Sequence, residues 1–189
     1  MMSDYQHFVN SISDDVLDEN IKTLEPIKQH TFTKLGGVAD LFITPSSFTE
    51  IQAVLKQAKK FNIPVTILGS GSNVIVRDGG IRGITLCLTK FNHISIENDV
   101  ITAQSGAAII AVSNFALKNE LTGLEFACGI PGSVGGALYM NAGAYGGQIS
   151  DVLEKARVIT RNGEIVTMSK EELQLGYRKS IFMNRDYVI

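Results

Sequence analysis

Two glycine-rich segments hold the residues best suited to binding a ligand. The first follows a short apolar run and combines small side chains with hydroxyl and amide groups. Because glycine has no Cβ, several backbone N–H groups can converge here on an anion such as a pyrophosphate, although an isolated Gly-x-Gly more often forms only a tight turn. The candidate residues are Gly69, Ser70, Gly71, Ser72 and Asn73.

This loop does not match two common nucleotide-binding patterns. A Gly-x-Gly-x-x-Gly fingerprint that starts at Gly69 would need glycine at position 74, where the chain has Val74. The fingerprint also requires a helix after the loop, whereas residues 74–76 predict a strand. No glycine-rich segment is followed by Gly-Lys-Ser or Gly-Lys-Thr, so the sequence excludes a P-loop and the nucleotide hydrolysis that goes with it.

The second segment, residues 129–147, contains seven glycines beside hydroxyl, amide and aromatic side chains. Each glycine weakens a helix or strand by roughly 0.5–1 kcal/mol, so a purely structural element would seldom collect so many. Bare backbone with such side chains suits a flat heteroaromatic ligand. The candidate residues are Gly132, Ser133, Gly135, Gly136, Asn141, Ala142, Gly143 and Tyr145.

The first part of the chain predicts a leading helix and a strand–helix–strand unit. Apolar residues at helical spacing predict the leading helix within residues 14–25, and Pro26 ends it. The two strands of a strand–helix–strand unit are usually parallel. The unit is predicted as a strand at 39–44, a helix at 47–61 that begins with the capping pair Ser47 and Glu50, and a strand at 65–69.

Farther along, the predicted elements are mostly short strands. They are strands at 74–76 and 84–88, a strand pair joined by Asn98-Asp99, a helix at 107–117, a hairpin of 156–160 with 164–168 around Asn162-Gly163, a capped turn from Ser169 to Glu172, and a strand at 186–189. The mixture, without a repeat, indicates an α+β fold in two lobes. We expect a helical lead at 1–30, a first lobe at 31–90 and a second lobe at 91–189.

Charge and hydropathy exclude other classes of partner. The formal net charge is −2, with no run of like charges, so nucleic acid is not expected to bind. The chain has no secretory signal and no apolar stretch of about 18 residues, so we expect a cytoplasmic protein without a membrane partner. Cys87 and Cys128 lie in apolar surroundings, so they are predicted to be buried free thiols, and no metal site is expected.

Four motifs follow one another along nearly the whole chain. They are His30-Thr31-Phe32 with Gly36-Gly37, residues 68–73, residues 129–146, and Gly176-Tyr177-Arg178-Lys179-Ser180. In this order they resemble the family of UDP-N-acetylenolpyruvoylglucosamine reductases, whose FAD domain is shared with p-cresol methylhydroxylase and vanillyl-alcohol oxidase. The third and fourth motifs are specific to the reductases, whereas the second occurs across the wider flavin family.

This resemblance implies a two-lobed FAD-binding domain of the p-cresol methylhydroxylase/vanillyl-alcohol oxidase type. FAD would lie between the lobes, with its pyrophosphate on residues 69–73 and its isoalloxazine against residues 132–145. Some flavin oxidases attach FAD to histidine, but His7, His30 and His93 lie outside both glycine-rich segments, so noncovalent FAD is expected.

The reaction implied by the resemblance belongs to peptidoglycan synthesis. NADPH would reduce the flavin, and hydride would then pass to C3 of the enolpyruvyl group of a UDP-sugar, followed by a proton to C2. Arg178 matches the family arginine that steadies the enolate, and a guanidinium suits this role because its permanent charge and forked donors meet a carboxylate. Tyr177 is a secondary candidate for the substrate pocket.

The family's proton-donor serine and its glutamate would lie in a substrate-binding domain beyond residue 189. We therefore expect this chain to be a fragment that does not turn over alone, and we infer no obligate protein partner. Two alternatives stay open: a flavin oxidase or dehydrogenase with the same fold, and a nucleotide-binding module without chemistry of its own.

Overall fold

The computed structural model describes the backbone of residues 2–189 and the side chains of residues 5–189. Helices and strands are mixed in two compact units. The first contains the residues up to Phe91 together with Arg161–Glu164, and the second contains Asn92–Thr160 and Ile165–Ile189. Each unit carries one of the two glycine-rich segments.

The first unit is built on a four-stranded sheet of order β1-β2-β4-β3. β1 runs antiparallel to β2, whereas β4 is parallel to both β2 and β3, as the strand–helix–strand pattern predicts. Two helices accompany the sheet, and Phe8 of α1 makes an edge-to-face contact with Phe61, the residue that follows α2. The elements are α1 (Met2–Ile12), β1 (Ile21–Pro26), β2 (Val38–Ile43), α2 (Phe48–Lys60), β3 (Val65–Leu68) and β4 (Ile81–Cys87).

Helix α2 begins and packs as its sequence pattern predicts. The Ser47 hydroxyl accepts a hydrogen bond from the Glu50 N–H at 3.2 Å. The Glu50 carboxylate binds the backbone N–H and the hydroxyl of Ser46, one residue earlier than a standard capping box. The buried face of the helix holds Ile51, Val54, Leu55 and Ala58.

The predicted helix within residues 14–25 is wrong, because residues 14–20 form turns and a short 3-10 helix and residues 21–25 belong to strand β1. Leu24 has a φ of 52°, which an α-helix cannot accommodate, and its side chain is exposed. Pairing with β2 satisfies the backbone groups of the segment and overrides a short helical period. Helix α1 was not predicted; it buries Phe8 and Ile12.

The second unit contains two hairpins, a three-stranded sheet and short helices. Strands β5 and β6 pair antiparallel, and the three-stranded sheet has the order β10-β9-β11. The elements are β5 (Ile94–Glu97), β6 (Val100–Ala103), α3 (Ile109–Lys118), α4 (Val134–Tyr139), β7 (Gly143–Ala144), β8 (Gly147–Gln148), α5 (Ile149–Val152), β9 (Lys155–Thr160), β10 (Ile165–Ser169) and β11 (Tyr187–Val188).

The predicted strand pairs, the helix at 107–117 and the hairpin turn at Asn162-Gly163 are confirmed within one or two residues, and Gly163 has a left-handed φ of 82°. The turn after β10 is capped as predicted, since the Ser169 N–H donates to the Glu172 carboxylate at 2.7 Å. The final strand is confirmed as β11, which pairs with β9.

Two further predictions, one of a strand and one of a buried side chain, are wrong. Residues 74–76 form no strand, and Ile75 is 80% exposed, because this segment runs beside the loop at residues 36–37 without building a ladder. Cys128 is exposed, whereas Cys87 is buried as predicted; both thiols are free. Within the described part of the chain, no helix combines the length and apolar character needed to cross a bilayer.

Candidate functional site

The first glycine-rich loop, residues 69–73, leaves the end of β3 and packs against the first motif. Gly71 is buried with a φ of 69°, and a Cβ at this position would collide with the carbonyl oxygen of His30. The Phe32 N–H donates to the Gly71 carbonyl oxygen at 3.1 Å. Two motifs that lie about forty residues apart in the sequence are therefore in direct contact, which requires glycine at position 71.

A cavity of about 260 Å³ lies where these two motifs meet. This volume suits one part of a large ligand, since whole small-molecule sites occupy roughly 300–1,000 Å³. Both polar side chains and bare backbone reach the cavity. Its lining consists of Gln29, His30, Thr31, Phe32, Lys34, Gly69, Ser70, Cys87 and Thr89.

Ser70 provides the test of whether this cavity fits an anionic ligand. Its hydroxyl oxygen is buried and has no hydrogen-bond partner among the described residues. A buried polar atom without a partner is costly, so such an atom at a cavity wall fits a ligand that would satisfy it. Of the other loop candidates, Gly69 also lines the cavity, whereas Gly71, Ser72 and Asn73 do not.

A polar pair that the sequence analysis did not single out lies beside this cavity. His30 Nε2 is 2.8 Å from a carboxylate oxygen of Glu25, and the imidazole stacks on the Phe42 ring at a centroid distance of 4.1 Å. Lys22 donates to the same oxygen at 3.1 Å. Burial acts to raise the pKa of the Glu25 carboxyl, but the hydrogen bonds from His30 and Lys22 outweigh it, so the pKa lies below its ordinary value of 4.5.

In the second unit, the glycine-rich segment is hydrogen-bonded to the first residue of α3 and to the residues just before that helix. The Ile109 N–H donates to the Gly132 carbonyl oxygen at 3.0 Å, and the Gly135 N–H donates to that of Ser105 at 2.8 Å. Ser133 caps α4, with its hydroxyl accepting from the Gly136 N–H at 3.4 Å. These bonds hold the start of α4 in one position.

Packing within the chain requires glycine at some positions of this segment but not at others. A Cβ on Gly135 would lie 2.9 Å from that of Ser105, and a Cβ on Gly147 would lie 2.9 Å from the Phe126 ring. By contrast, a Cβ on Gly129 would meet nothing within 4 Å, and one on Gly136 would meet only the Ser133 hydroxyl at 3.4 Å. The bare backbone at these two positions is not required by the chain's own packing and fits close approach of a ligand.

Asn141 is buried, and its side chain makes three hydrogen bonds within the unit. Its amide nitrogen donates to the Gln148 side chain at 3.1 Å and to the Gly176 carbonyl oxygen at 3.0 Å. Its amide oxygen accepts from the Ser150 N–H at 2.9 Å. Asn141 therefore holds the surrounding loops in place, whereas Tyr145, at the tip of the β7–β8 hairpin, is 90% exposed.

The fourth motif forms a tight turn whose tip carries Tyr177 and Arg178. Gly176 and Lys179 exchange two backbone hydrogen bonds of 3.0 and 3.1 Å, and Arg178 has a left-handed φ of 51°. The Arg178 guanidinium lies over the Tyr177 ring at 5.6 Å and approaches the Gly143 carbonyl oxygen at 3.4 Å. The buried Ser180 hydroxyl donates to the Tyr139 carbonyl oxygen at 2.6 Å, which anchors the turn on the glycine-rich segment.

A family model described as an FAD binding domain matches residues 39–169. The chain belongs to the FAD binding domain family. The match includes both glycine-rich segments of this FAD binding domain, whereas the His30 motif and the Arg178 turn lie outside it.

Curated relatives of this FAD binding domain are reductases. UDP-N-acetylenolpyruvoylglucosamine reductase 2 of Bacillus cereus is 59% identical over 170 residues, which cover 90% of this chain and 56% of the relative. The reductase of Clostridium tetani is 51% identical over 188 residues, covering 100% of this chain and 61% of the relative. The chain thus spans little more than half the length of these relatives.

Solved structures confirm the predicted fold of the FAD binding domain. The UDP-N-acetylenolpyruvylglucosamine reductase of Thermus caldophilus superposes with a TM-score of 0.70 and 30% identity, covering 85% of this chain and 55% of the other. p-Cresol methylhydroxylase superposes with a TM-score of 0.63 and 17% identity, covering 88% of this chain and 36% of the other. The two-lobed α+β class shared with p-cresol methylhydroxylase is therefore confirmed.

Proposed function

We propose that this chain binds FAD noncovalently as the cofactor-binding part of a UDP-N-acetylenolpyruvoylglucosamine reductase. That enzyme would use NADPH to reduce UDP-N-acetylglucosamine enolpyruvate to UDP-N-acetylmuramate for peptidoglycan synthesis. The observation that carries the proposal is the cavity with the unpartnered Ser70 hydroxyl, in a chain that is 59% identical to a curated reductase. NADPH and UDP-sugars are cytoplasmic metabolites, so the proposed location is the cytoplasm.

The two units have separate tasks in this proposal. In the first, backbone N–H groups of Gly69 and Gly71 and the Ser70 hydroxyl bind a phosphate group. In the second, the open backbone at Gly136 offers a flat surface to the isoalloxazine ring. Bound FAD supplies the hydride transfer. The remaining proposed cofactor-binding residues are Ser72, Asn73, Gly132, Ser133, Gly135, Asn141, Ala142, Gly143 and Tyr145.

Arg178 is the proposed catalytic residue. The Gly176–Lys179 turn is anchored at both ends, so its tip presents the guanidinium from a rigid base. A fixed, permanently charged, forked donor can bind the substrate carboxylate and stabilise the charge that develops as hydride adds. Tyr177 restricts the guanidinium by stacking and is the proposed second substrate contact.

A flavin titration tests this proposal directly. The purified 189-residue chain should quench flavin fluorescence on addition of FAD, and the bound flavin should show a shifted visible spectrum. Denaturation should release unmodified FAD, because the cofactor is not covalently attached. A well-folded chain that leaves the FAD spectrum and fluorescence unchanged would contradict the proposal. The alternative, a flavin oxidase or dehydrogenase of the same fold, has in its favour solved structures that are less than 25% identical to this chain, and these show the fold alone.

A further inference from the structure

Two buried side chains attach the turn that carries Arg178 to the second glycine-rich segment. Asn141 of the segment donates from its amide to the Gly176 carbonyl oxygen at 3.0 Å. At the other end of the turn, the Ser180 hydroxyl donates to the Tyr139 carbonyl oxygen at 2.6 Å. One bond runs from the segment to the turn and the other from the turn to the segment, so each end of the turn has its own anchor.

Ser180 does not itself contact a ligand in this arrangement. The residue is fully buried, and its hydroxyl proton is donated to the main-chain carbonyl of the last residue of α4. A hydroxyl has a single proton to donate, so Ser180 has none left for a substrate. Any contribution of Ser180 to a reaction must therefore act through the residues that its hydrogen bond holds in place.

Arg178, two residues before Ser180, needs such support. Its backbone is left-handed, with a φ of 51°, a conformation that is unfavourable for a residue with a Cβ and persists where the surrounding structure enforces it. Its exposed guanidinium lies over the Tyr177 ring at 5.6 Å and is 3.4 Å from the Gly143 carbonyl oxygen, which is long for a hydrogen bond. The place of the guanidinium therefore depends mainly on the backbone of the turn.

We infer that Ser180 is a positioning residue for Arg178. Its hydroxyl fixes the turn on the segment that is proposed to carry the flavin, so the guanidinium keeps one place beside that segment. This inference rests on the proposed function, because it assigns Ser180 to the same reaction. Loss of the hydroxyl should free the tip of the turn and weaken the action of Arg178 on the substrate, although no group that touches FAD is removed.

The first experiment measures the mobility of the turn without any reaction. The chain has no tryptophan, so Tyr177→Trp places a single indole at the tip of the turn, where the tyrosine is 89% exposed. In this background, Ser180→Ala should raise the amplitude of the nanosecond local component of the fluorescence anisotropy decay about twofold or more. Ser113→Ala is the matched control and should leave the decay unchanged, since it removes another buried hydroxyl that donates to a carbonyl oxygen, that of Leu124 at 2.8 Å.

The second experiment uses a protein that joins this chain to the additional length of the relatives. Ser180→Ala should slow reoxidation of the reduced flavin by the enolpyruvyl substrate about tenfold or more, because small displacements of a catalytic group are costly. Reduction by NADPH and the Kd of FAD should change little. In an Arg178→Ala background the same substitution should add almost nothing, because the group through which Ser180 acts is already missing. A merely structural role would slow both half-reactions and would add to the effect of Arg178→Ala.

The outcomes separate this inference from the proposed function. A folded wild-type chain that binds no FAD would contradict the proposed function and, with it, the role assigned to Ser180. If FAD binds, an unchanged anisotropy decay in Ser180→Ala, or equal slowing by Ser180→Ala with and without Arg178, would overturn the inference and leave the proposed function standing. Thermal unfolding identifies variants that do not fold. If Ser180→Ala is one of them, Ser180→Cys takes its place in both measurements, because a thiol fills the site with a much weaker donor.

Discussion

At the scale of single residues, Asn141 holds several segments of the second unit together. Its backbone is left-handed, with a φ of 41°, and its three side-chain hydrogen bonds connect the segment after α4 to β8, to α5 and to the turn that carries Arg178. The sequence identified Asn141 as a candidate for contact with the cofactor. Both of its amide hydrogens are used in these bonds, so its side chain has no further donor for a ligand, and its main contribution is to hold the loops around it.

Replacing Asn141 with alanine should destabilise the second unit. The Ser150 N–H would lose its partner in a buried site, which costs about 1–3 kcal/mol, and the Gly176 carbonyl oxygen would keep only its bond from the Lys179 N–H. Urea unfolding followed by circular dichroism measures this loss. Asn184→Ala, at an exposed position, is the matched control. Equal stability of the two variants would show that the bonds of Asn141 contribute little.

Glu25 should make the stability of the first unit depend on acid pH. Its folded pKa is lowered, so the carboxylate stabilises the fold above its ordinary value of 4.5, and this contribution disappears as the pH falls through the folded value. The melting temperature of Glu25→Gln should therefore lie below that of wild type near neutral pH and converge with it in acid. A difference that stays constant down to the acid limit would contradict this linkage.

At the scale of elements, the sequence correctly predicted the helices and turns that depend on residues close together in the chain. Helix α2 has a cap at Ser47 and an apolar face with helical spacing, so its bounds could be predicted within a residue. The β9–β10 hairpin follows from Asn162-Gly163. Strand β1 could not be predicted in the same way, because its pairing with β2 outweighs the weak helical period of its own residues.

The same limit applies to the candidate site. Gly69 and Ser70 could be identified from composition, but the pair of His30 and Glu25 could not, because only the fold brings it to the cavity. The sequence shows that His30 belongs to a motif, but it does not show which residues His30 contacts in the fold. The turn at residues 176–180 was found by resemblance, whereas its attachment through Asn141 and Ser180 is a tertiary feature.

In helix α4, a single substitution should have opposite effects on the stability of the chain and on its affinity for FAD. Gly136 lies in this helix with room for a methyl group, so Gly136→Ala should stabilise the free chain by up to about 1 kcal/mol. If the flavin ring approaches the bare backbone here, the same methyl group should weaken FAD binding at least several-fold. Thermal unfolding without ligand and FAD titration measure the two effects.

Gly79→Ala is the control for this prediction, because a Cβ at Gly79 would meet nothing within 4 Å and Gly79 lies in a turn of the other unit. It should leave FAD affinity unchanged. Gly136→Ala protein that binds FAD as tightly as wild type would remove α4 from the proposed ring site.

At the scale of the whole molecule, the chain divides into two compact units and has about half the length of its curated relatives. The first unit buries its apolar residues around the parallel strands, and the second buries a separate cluster that includes Phe126, Leu138 and Val158. Both glycine-rich segments are present, so cofactor binding can be tested on this chain, whereas the proposed reduction must be tested with the additional length that the relatives have.

In a protein that joins this chain to that additional length, Arg178→Ala should slow reoxidation of the reduced flavin by the enolpyruvyl substrate by about 10²–10³-fold, the usual cost of losing one transition-state charge contact. Reduction of the flavin by NADPH should change little. Stopped-flow absorbance separates the two half-reactions, and Arg185→Ala, at an exposed position, serves as the control. Normal reoxidation in Arg178→Ala would remove the catalytic role.

The exposure of Cys128 gives this protein a built-in labelling position. Of its two thiols, Cys87 is 1% exposed and Cys128 is open to solvent, so a maleimide fluorophore should attach at one place without any engineering. That place directly precedes Gly129, at the start of the second glycine-rich segment. The fluorescence of a dye at Cys128 should therefore fall, by energy transfer or quenching, when a coloured cofactor binds. This signal would detect binding even in variants that change the flavin spectrum only weakly.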